Sequence, residues 1–349
     1  MDLILFHHDE YDHLYNCSFY NIDQIPLENR QHKALGWIFI ALFFIFELLY
    51  IPCIIAITKH LRYASFKFMF YIGIVDIVAL WIAGLQSGYF AINGSVFCSN
   101  PTFIYVSGIF ALGFWISEST AAMMLALNRC VEVWSPKLAK LIYGGKMSWL
   151  WLIPVNLYAF CTVYFGKIPV FSSIYMAWFF DPHVGYADDF GKVYHNFVAS
   201  SHNLVLCGGL ASLYLGFCVT LLYKRRHFEA QYNVRNDKMP FVQVFLITIV
   251  NMIASALYVF MQFVPISGAL IILGQFTWIL AHGMPPLIYI TLNRTIRSEI
   301  HRWTLKWIFR KNPISIASLQ SFHNIDYTVK VHRTEHGIII QNNSLNMFL

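Results

Sequence analysis

Charge is scarce in this chain. Lys, Arg, Asp and Glu make up 12% of its 349 residues, about half of the share usual in soluble domains. Hydrophobic residues make up 58%. That balance excludes a string of soluble domains and fits one polytopic membrane bundle. The signatures of catalysis are also missing. There is no HExxH, no GxSxG, no P-loop and no Gly-rich nucleotide fingerprint. No His/Cys cluster converges into a ligand set, so neither a metal nor a cofactor is expected, and no enzymatic activity. Internal repeats are lacking, which weighs against an inverted-repeat transporter. No loop is long enough to be a soluble domain. The first 33 residues are polar and hold no secretory apolar core, so the first apolar span is expected to serve as an uncleaved targeting signal.

What is present is a series of long apolar runs. A run of 18 or more apolar residues reaches across a hydrocarbon core of ~30 Å at ~1.5 Å per residue. Seven such runs stand at Ala34–Thr58, Phe66–Phe90, Thr102–Asn128, Ser148–Lys167, Ala199–Tyr223, Met239–Val264 and Ala269–Leu292. If residues 1–33 lie on one face, the loops alternate sides. Of the 24 basic residues, only Arg30, Lys33, Lys167 and Lys192 then share that face. Basic loops stay cytoplasmic, so the N-terminus is expected outside and the tail inside. The net charge of +6 belongs to these membrane borders and to anionic lipid, not to nucleic acid. The expected division is an extracellular segment 1–33, a transmembrane domain 34–292, a juxtamembrane helix 293–310 and a loose cytoplasmic tail 311–349. The juxtamembrane helix is amphipathic. Ile296, Ile300, Trp303 and Trp307 form a stripe flanked by Arg294, Arg297, Arg302, Lys306 and Arg310, a pattern that lies at the inner leaflet.

Cys17 and Cys98 are the two cysteines that this topology places outside. Two cysteines in an oxidising compartment suggest one disulfide, tying the N-terminal segment to the top of the third span, with free thiols as the alternative that spacing leaves open. Cys53, Cys161, Cys207 and Cys218 fall within spans as small packing residues, and Cys130 is cytoplasmic. Asn16 and Asn93 head glycosylation sequons on the outer face, Asn93 close to the bilayer. Asn293 and Asn342 match the same pattern on the cytoplasmic side. The long outer loop, Ile168–Val198, is rich in aromatics and reads as ordered.

Ionisable groups within hydrocarbon are costly and face the bundle interior. Glu47, Asp76 and Glu118 are such groups, with His282 at similar depth. Asp76, Glu118 and His282 read as a buried polar core. That core is either structural or coupled to a proton or cation. Glu118 precedes Arg129 by about three helical turns, so the two share a face. Arg129 closes the third span in Asn128-Arg129-Cys130, as a snorkelling border charge or a coupling residue. Pro285-Pro286 in the last span frees backbone carbonyls and is followed by Tyr289 at the inner end.

An Asp in the second span, an Arg ending the third and a Pro-x-x-Tyr in the seventh resemble a G-protein-coupled receptor. The chain departs from the rhodopsin-like pattern at Asn128-Arg129-Cys130, at Pro285, in the sixth span and in an outer loop without cysteine. Tyr15-Asn-Cys-Ser18, Leu49-Tyr-Ile-Pro-Cys53, Gly73-Ile-Val-Asp76, Val96-Phe-Cys-Ser-Asn-Pro101, Leu125-Ala-Leu-Asn-Arg-Cys130 and Ile174-Tyr-Met-Ala-Trp-Phe-Phe-Asp-Pro182 resemble the nematode serpentine receptor class T chemoreceptors, over about residues 15 to 310. The resemblance implies a seven-helix chemosensory receptor on sensory cilia of the plasma membrane, coupled to a heterotrimeric G protein. It also implies that Cys17 and Cys98 replace the usual loop disulfide. The expected small-molecule pocket lies between the outer halves of the third, fifth, sixth and seventh spans, with Trp115, Trp178, Phe179, His202, Tyr258, Gln262 and Trp278 as candidate contacts. Arg129, Arg225, Arg226, Lys238 and Tyr289 are the candidates for G-protein coupling. The rival reading is an ion-coupled transporter or channel that uses the buried acids. A more distant rival is an intramembrane enzyme, with Asp76 and Glu118 as its one candidate pair.

Overall fold

A computed structural model describes residues 1–18, 21–185, 193–227, 234–264, 267–311, 331–334 and 337–340. Among them are seven helices long and apolar enough to cross a membrane. The first span is Lys33–Thr58. The second runs through Ala64–Leu80, a π-helical segment Trp81–Gln86 and Ser87–Asn93. The third is Pro101–Trp134, and the fourth is Met147–Leu150 continued by Leu152–Phe165. The fifth to seventh are Phe197–His227, Val234–Phe263 and Gly268–Leu292. The fold is an all-α seven-helix membrane bundle.

Helix signals in the sequence act where the spans begin and end. Asn100 caps the third span, its Oδ1 accepting from the Phe103 N–H at 3.4 Å, and Pro101 occupies the first helical position, where no N–H is needed. Gly94 ends the second span at a φ of 65°, a left-handed C-cap that glycine adopts without a Cβ clash. The third span continues one and a half turns beyond Asn128, because no helix breaker stands before Ser135-Pro136.

The third span packs against the second, fourth, fifth and sixth, and the seventh packs against the first, second and sixth. The second, third and seventh spans bury more than half of their apolar windows, whereas the other four bury about a third or less. The first three named are therefore the centre of the bundle. Phe44, Leu48, Ile51, Phe160 and Leu215 are exposed along the peripheral spans, where lipid chains would meet them.

The end that carries the N-terminal segment is called the outer end, after the charge bias. It is covered by an ordered cap. Helices Asp2–Phe6 and His8–Leu14 lead to Tyr15, which stacks on Tyr11 at 5.0 Å and meets Tyr105 edge-on at 5.0 Å. Burying Tyr15 with such ring contacts contributes roughly 2–4 kcal/mol. Cys17 and Cys98 form a disulfide, Cα to Cα 5.5 Å, that fastens this segment to the chain just before the third span. The outer loop adds a hairpin in which β1 (Val170–Ser172) pairs antiparallel with β2 (Ala177–Phe179). The hairpin sits tight on the third span, because a Cβ at Gly108 would collide with the Pro169 carbonyl.

Arg294–Lys311 is helical, as the stripe of Ile and Trp predicts, and Asn293 Oδ1 caps the Ile296 N–H at 3.0 Å. Farther along, Val331–Thr334 pairs antiparallel with Gly337–Ile340. The rest of the tail, expected to be loose, lies outside the described residues.

Candidate ligand and coupling sites

Two irregularities of the spans build the centre. Proline has no N–H, so Pro286 leaves the His282 carbonyl, four residues earlier, without its helical partner. The Tyr50 hydroxyl of the first span lies 2.8 Å from that carbonyl and 2.6 Å from Asp76 Oδ2. The other oxygen of Asp76 is 2.7 Å from His282 Nδ1. Asp76 and His282 are both fully buried. Asp76 thus ties the second span to the first through Tyr50 and to the seventh through the His282 ring, and Tyr50 also reaches the carbonyl that proline set free. The second irregularity is the π segment Trp81–Gln86, whose widened turn releases backbone groups. Gln275 of the seventh span donates its amide to the Ala83 carbonyl at 3.0 Å.

Glu118, also fully buried, accepts from the Asn251 amide at 2.9 Å, linking the third and sixth spans. It lies within electrostatic reach of Asp76 and His282. Of the three residues expected to share a polar core, Asp76 and His282 are thus in direct contact, with Glu118 near them. Asn251, a sixth-span residue absent from that expectation, supplies the partner that Glu118 needs. Glu47 stands apart, half-buried on the first span. Among the described residues, no three His, Cys, Asp or Glu side chains group as metal ligands.

Above this core, toward the outer end, is a cavity of about 60 Å³. Trp115, Trp178, Tyr258, Gln262 and Trp278 line it, joined by Asn203, Phe180, Pro169, Ala111, Leu112 and Ala199. Trp178 is anchored by its indole N–H, which donates to Ser87 Oγ at 2.9 Å, and its ring meets Trp278 edge-on at 6.2 Å. Two of the seven expected contacts sit elsewhere. His202 lies about 100° around the helix from Asn203 and turns toward the third and fourth spans, with Nε2 2.9 Å from Ser119 Oγ and Nδ1 3.1 Å from Tyr158 Oη. Ser119 donates to the Trp115 carbonyl at 2.6 Å, so it accepts from His202 Nε2–H, and Nδ1 accepts from Tyr158. Phe179 points away from Trp178 by strand alternation and packs on Tyr175. Phe180 lines the cavity instead. Asn203 was missed because an Asn on an apolar helix face carries no periodic signal. The one hint was its place beside a histidine.

The floor of the cavity touches the polar core. The rings of Trp115 and Trp278 lie 6.1 and 6.0 Å from the His282 ring, both edge-on.

At the opposite end is a larger cleft of about 810 Å³, lined among others by Arg129, Asn128, Arg62, Lys140, Gln243 and Asn293. Arg129 pairs with Glu132, one turn on, at 2.9 Å. Tyr289 is buried, and its hydroxyl has no partner among the described residues. The side chains of Arg225, Arg226 and Lys238 lie outside the described residues.

Residues 2–312 match the family described as serpentine type 7TM GPCR chemoreceptor Srt. The chain belongs to the Srt chemoreceptor family. One relative, serpentine receptor class T-55 of Caenorhabditis elegans, is 26% identical over 274 residues, which span 76% of this chain and 74% of that protein. The Srt receptor described here therefore has a family and a fold that agree. The family is one of receptors rather than enzymes.

Proposed function

We propose that this Srt receptor stands in the plasma membrane with its N-terminus outside, binds a small molecule in the outer cavity and activates a heterotrimeric G protein at the opposite cleft. One observation carries the reading. Trp115 and Trp278 wall the cavity and also contact the ring of His282, which is bonded to Asp76. A ligand that moves either indole displaces the pair that ties three spans together. A binding event is thereby coupled to helix packing through one contiguous set of contacts. Arg129, in the cleft at the far end of the third span, is the residue assigned to G-protein contact, with Tyr289 beside the same path. Arg225, Arg226 and Lys238 add positive charge to that face. The family's chemosensory character supports a sensory cilium as its place.

The transporter reading draws on the same Asp76, Glu118 and His282. Their bonds to Tyr50, to one another and to Asn251 support a packing and coupling role instead. Nucleotide exchange on a reconstituted G protein tests the proposal. Arg129→Ala should keep surface density and ligand binding and lower exchange at least tenfold. Normal exchange at normal density would leave Arg129 as a border charge only.

A further inference from the structure

The outer cavity constrains the chemistry of its ligand, and this argument rests on the receptor reading above. Among the described residues, no charged side chain lines the cavity. An anion placed there would lose its hydration without a counter-ion and meet the negative faces of the rings; an ammonium, which those faces attract, carries no acceptor for the amide donor that the wall presents. The ligand is therefore uncharged. Size narrows it further. One water takes up about 10–15 Å³ of such a cavity, so about 60 Å³ holds a molecule of roughly four to six non-hydrogen atoms.

The polar groups decide the rest. The indole N–H of Trp115 is a donor only. It donates to Asn203 Oδ1 at 3.0 Å, and both side chains are buried. That bond fixes the orientation of the Asn203 amide, because the reversed orientation would set one donor against another. Its NH₂ group then faces away from Trp115, and among the described residues no acceptor takes it. Asn203 lines the cavity, so the cavity wall offers a donor in need of an acceptor. The other polar groups are less committed. The Tyr258 hydroxyl is turned to Gln275 at 3.5 Å. The Ser200 hydroxyl has one proton and two acceptors, the Asn196 carbonyl and Gln262 Oε1, each at 3.0 Å, so Gln262 is free to present either end.

We propose that the outer cavity selects a compact, uncharged molecule that accepts a hydrogen bond from the Asn203 amide, carbonyl compounds being the class that fits, with Trp115 acting as the positioning residue. A carbonyl oxygen satisfies the amide, while the remainder of such a molecule is flat and apolar enough to lie on the rings of Trp178 and Trp278.

The probes are cyclopentanone, methylenecyclopentane, which has the same shape with CH₂ in place of oxygen, and cyclopentylammonium. Binding is titrated by thermal shift on the purified receptor in lipid nanodiscs without a G protein. The readout is the ketone-to-alkene affinity ratio in the wild type divided by the same ratio in a variant, which cancels the difference in transfer from water. For Asn203→Leu combined with Trp115→Phe, which removes the amide together with the indole N–H that Asn203→Leu alone would leave unpaired, this quotient should be about tenfold or more, since an unmatched donor is what penalises the alkene. Trp115→Phe alone releases the amide to turn over, and the quotient should be roughly threefold. That single variant decides the matter if the double variant does not fold. The ammonium should fail to compete at any concentration used. Three results would overturn the assignment: no binding of cyclopentanone to folded wild type, a quotient near one for the variants, or tighter binding of the ammonium. A receptor that shows the selectivity but drives no nucleotide exchange would overturn the coupling reading alone.

Discussion

Replacing Cys17 with Ser removes the covalent tie between the N-terminal cap and the start of the third span. The closed loop has a sequence separation of 81, for which chain entropy alone gives about 4.5 kcal/mol. That figure is too large for a membrane protein. The first and second spans remain inserted as helices when the cap lets go, so the chain actually freed is residues 17–32 and 94–98. A loop of roughly 20 residues corresponds to about 3 kcal/mol. Part of the cap also holds without the bond. Tyr15 keeps its place between Tyr11, Tyr105 and Phe97, and the Tyr194 hydroxyl still donates to the Leu14 carbonyl at 2.6 Å. The expected outcome is a loss of about 3 kcal/mol, seen as lower surface density and as a fall of a few degrees in the unfolding midpoint in micelles. Cys98→Ser should match Cys17→Ser, and the double variant should show no further loss, because each change breaks the same bond. A double variant with twice the defect of either single, or thiol labelling at both positions in the untreated protein, would refute the reasoning.

Three other expectations follow from the same geometry. Asp76→Ala leaves both Tyr50 and His282 without their carboxylate, a broken buried pair that should cost about 3 kcal/mol or more, whereas Asp76→Asn retains one acceptor and should cost at least about 1 kcal/mol less; equal losses in thermal unfolding would argue against the network. His183 of the cap donates from Nε2 to the Asn16 carbonyl at 3.0 Å, and burial pushes its imidazole below the ordinary 6.5, partly offset by that carbonyl. Its neutral form is the one that fits, so cap stability is full above pH 6.5, begins to fall as pH drops through 6.5 and reaches its floor below the depressed folded value; His183→Gln should flatten this in hydrogen exchange of residues 8–18, and an unchanged acid response would assign it to another group. Glycosidase treatment should shift the mobility of the wild type and not of an Asn16→Gln, Asn93→Gln variant; modification at Asn293 would reverse the assigned orientation.

How much of this could be read in advance differs by kind of feature. Span number and approximate limits were legible, because lipid imposes a length and a composition that no partner alters. The helix after the seventh span was legible as a periodic stripe between basic residues. Asp76, Glu118 and His282 stood out because ionisable groups are costly at that depth. The cysteine pair was open on spacing alone and was suggested by the topology, which places those two outside, and by the family resemblance; packing of Tyr15 against Tyr105 and Phe97 then brings Cys17 to Cys98. What only the tertiary structure decided were the directions of side chains around each helix and the partners that fill them. A one-residue step separates His202, turned to Ser119 and Tyr158, from Asn203, turned to Trp115 and the cavity, and no local property of the two residues chooses between them. Tyr50 became the bridge of the core only because Pro286 frees a carbonyl beside it, and Gln275 became a link only because the second span widens at Trp81–Gln86. The bilayer sets the lengths of the spans, which are written locally. Hydrogen-bond partners across a bundle are set by how distant helices rotate against one another, and that information is in no single stretch of the chain.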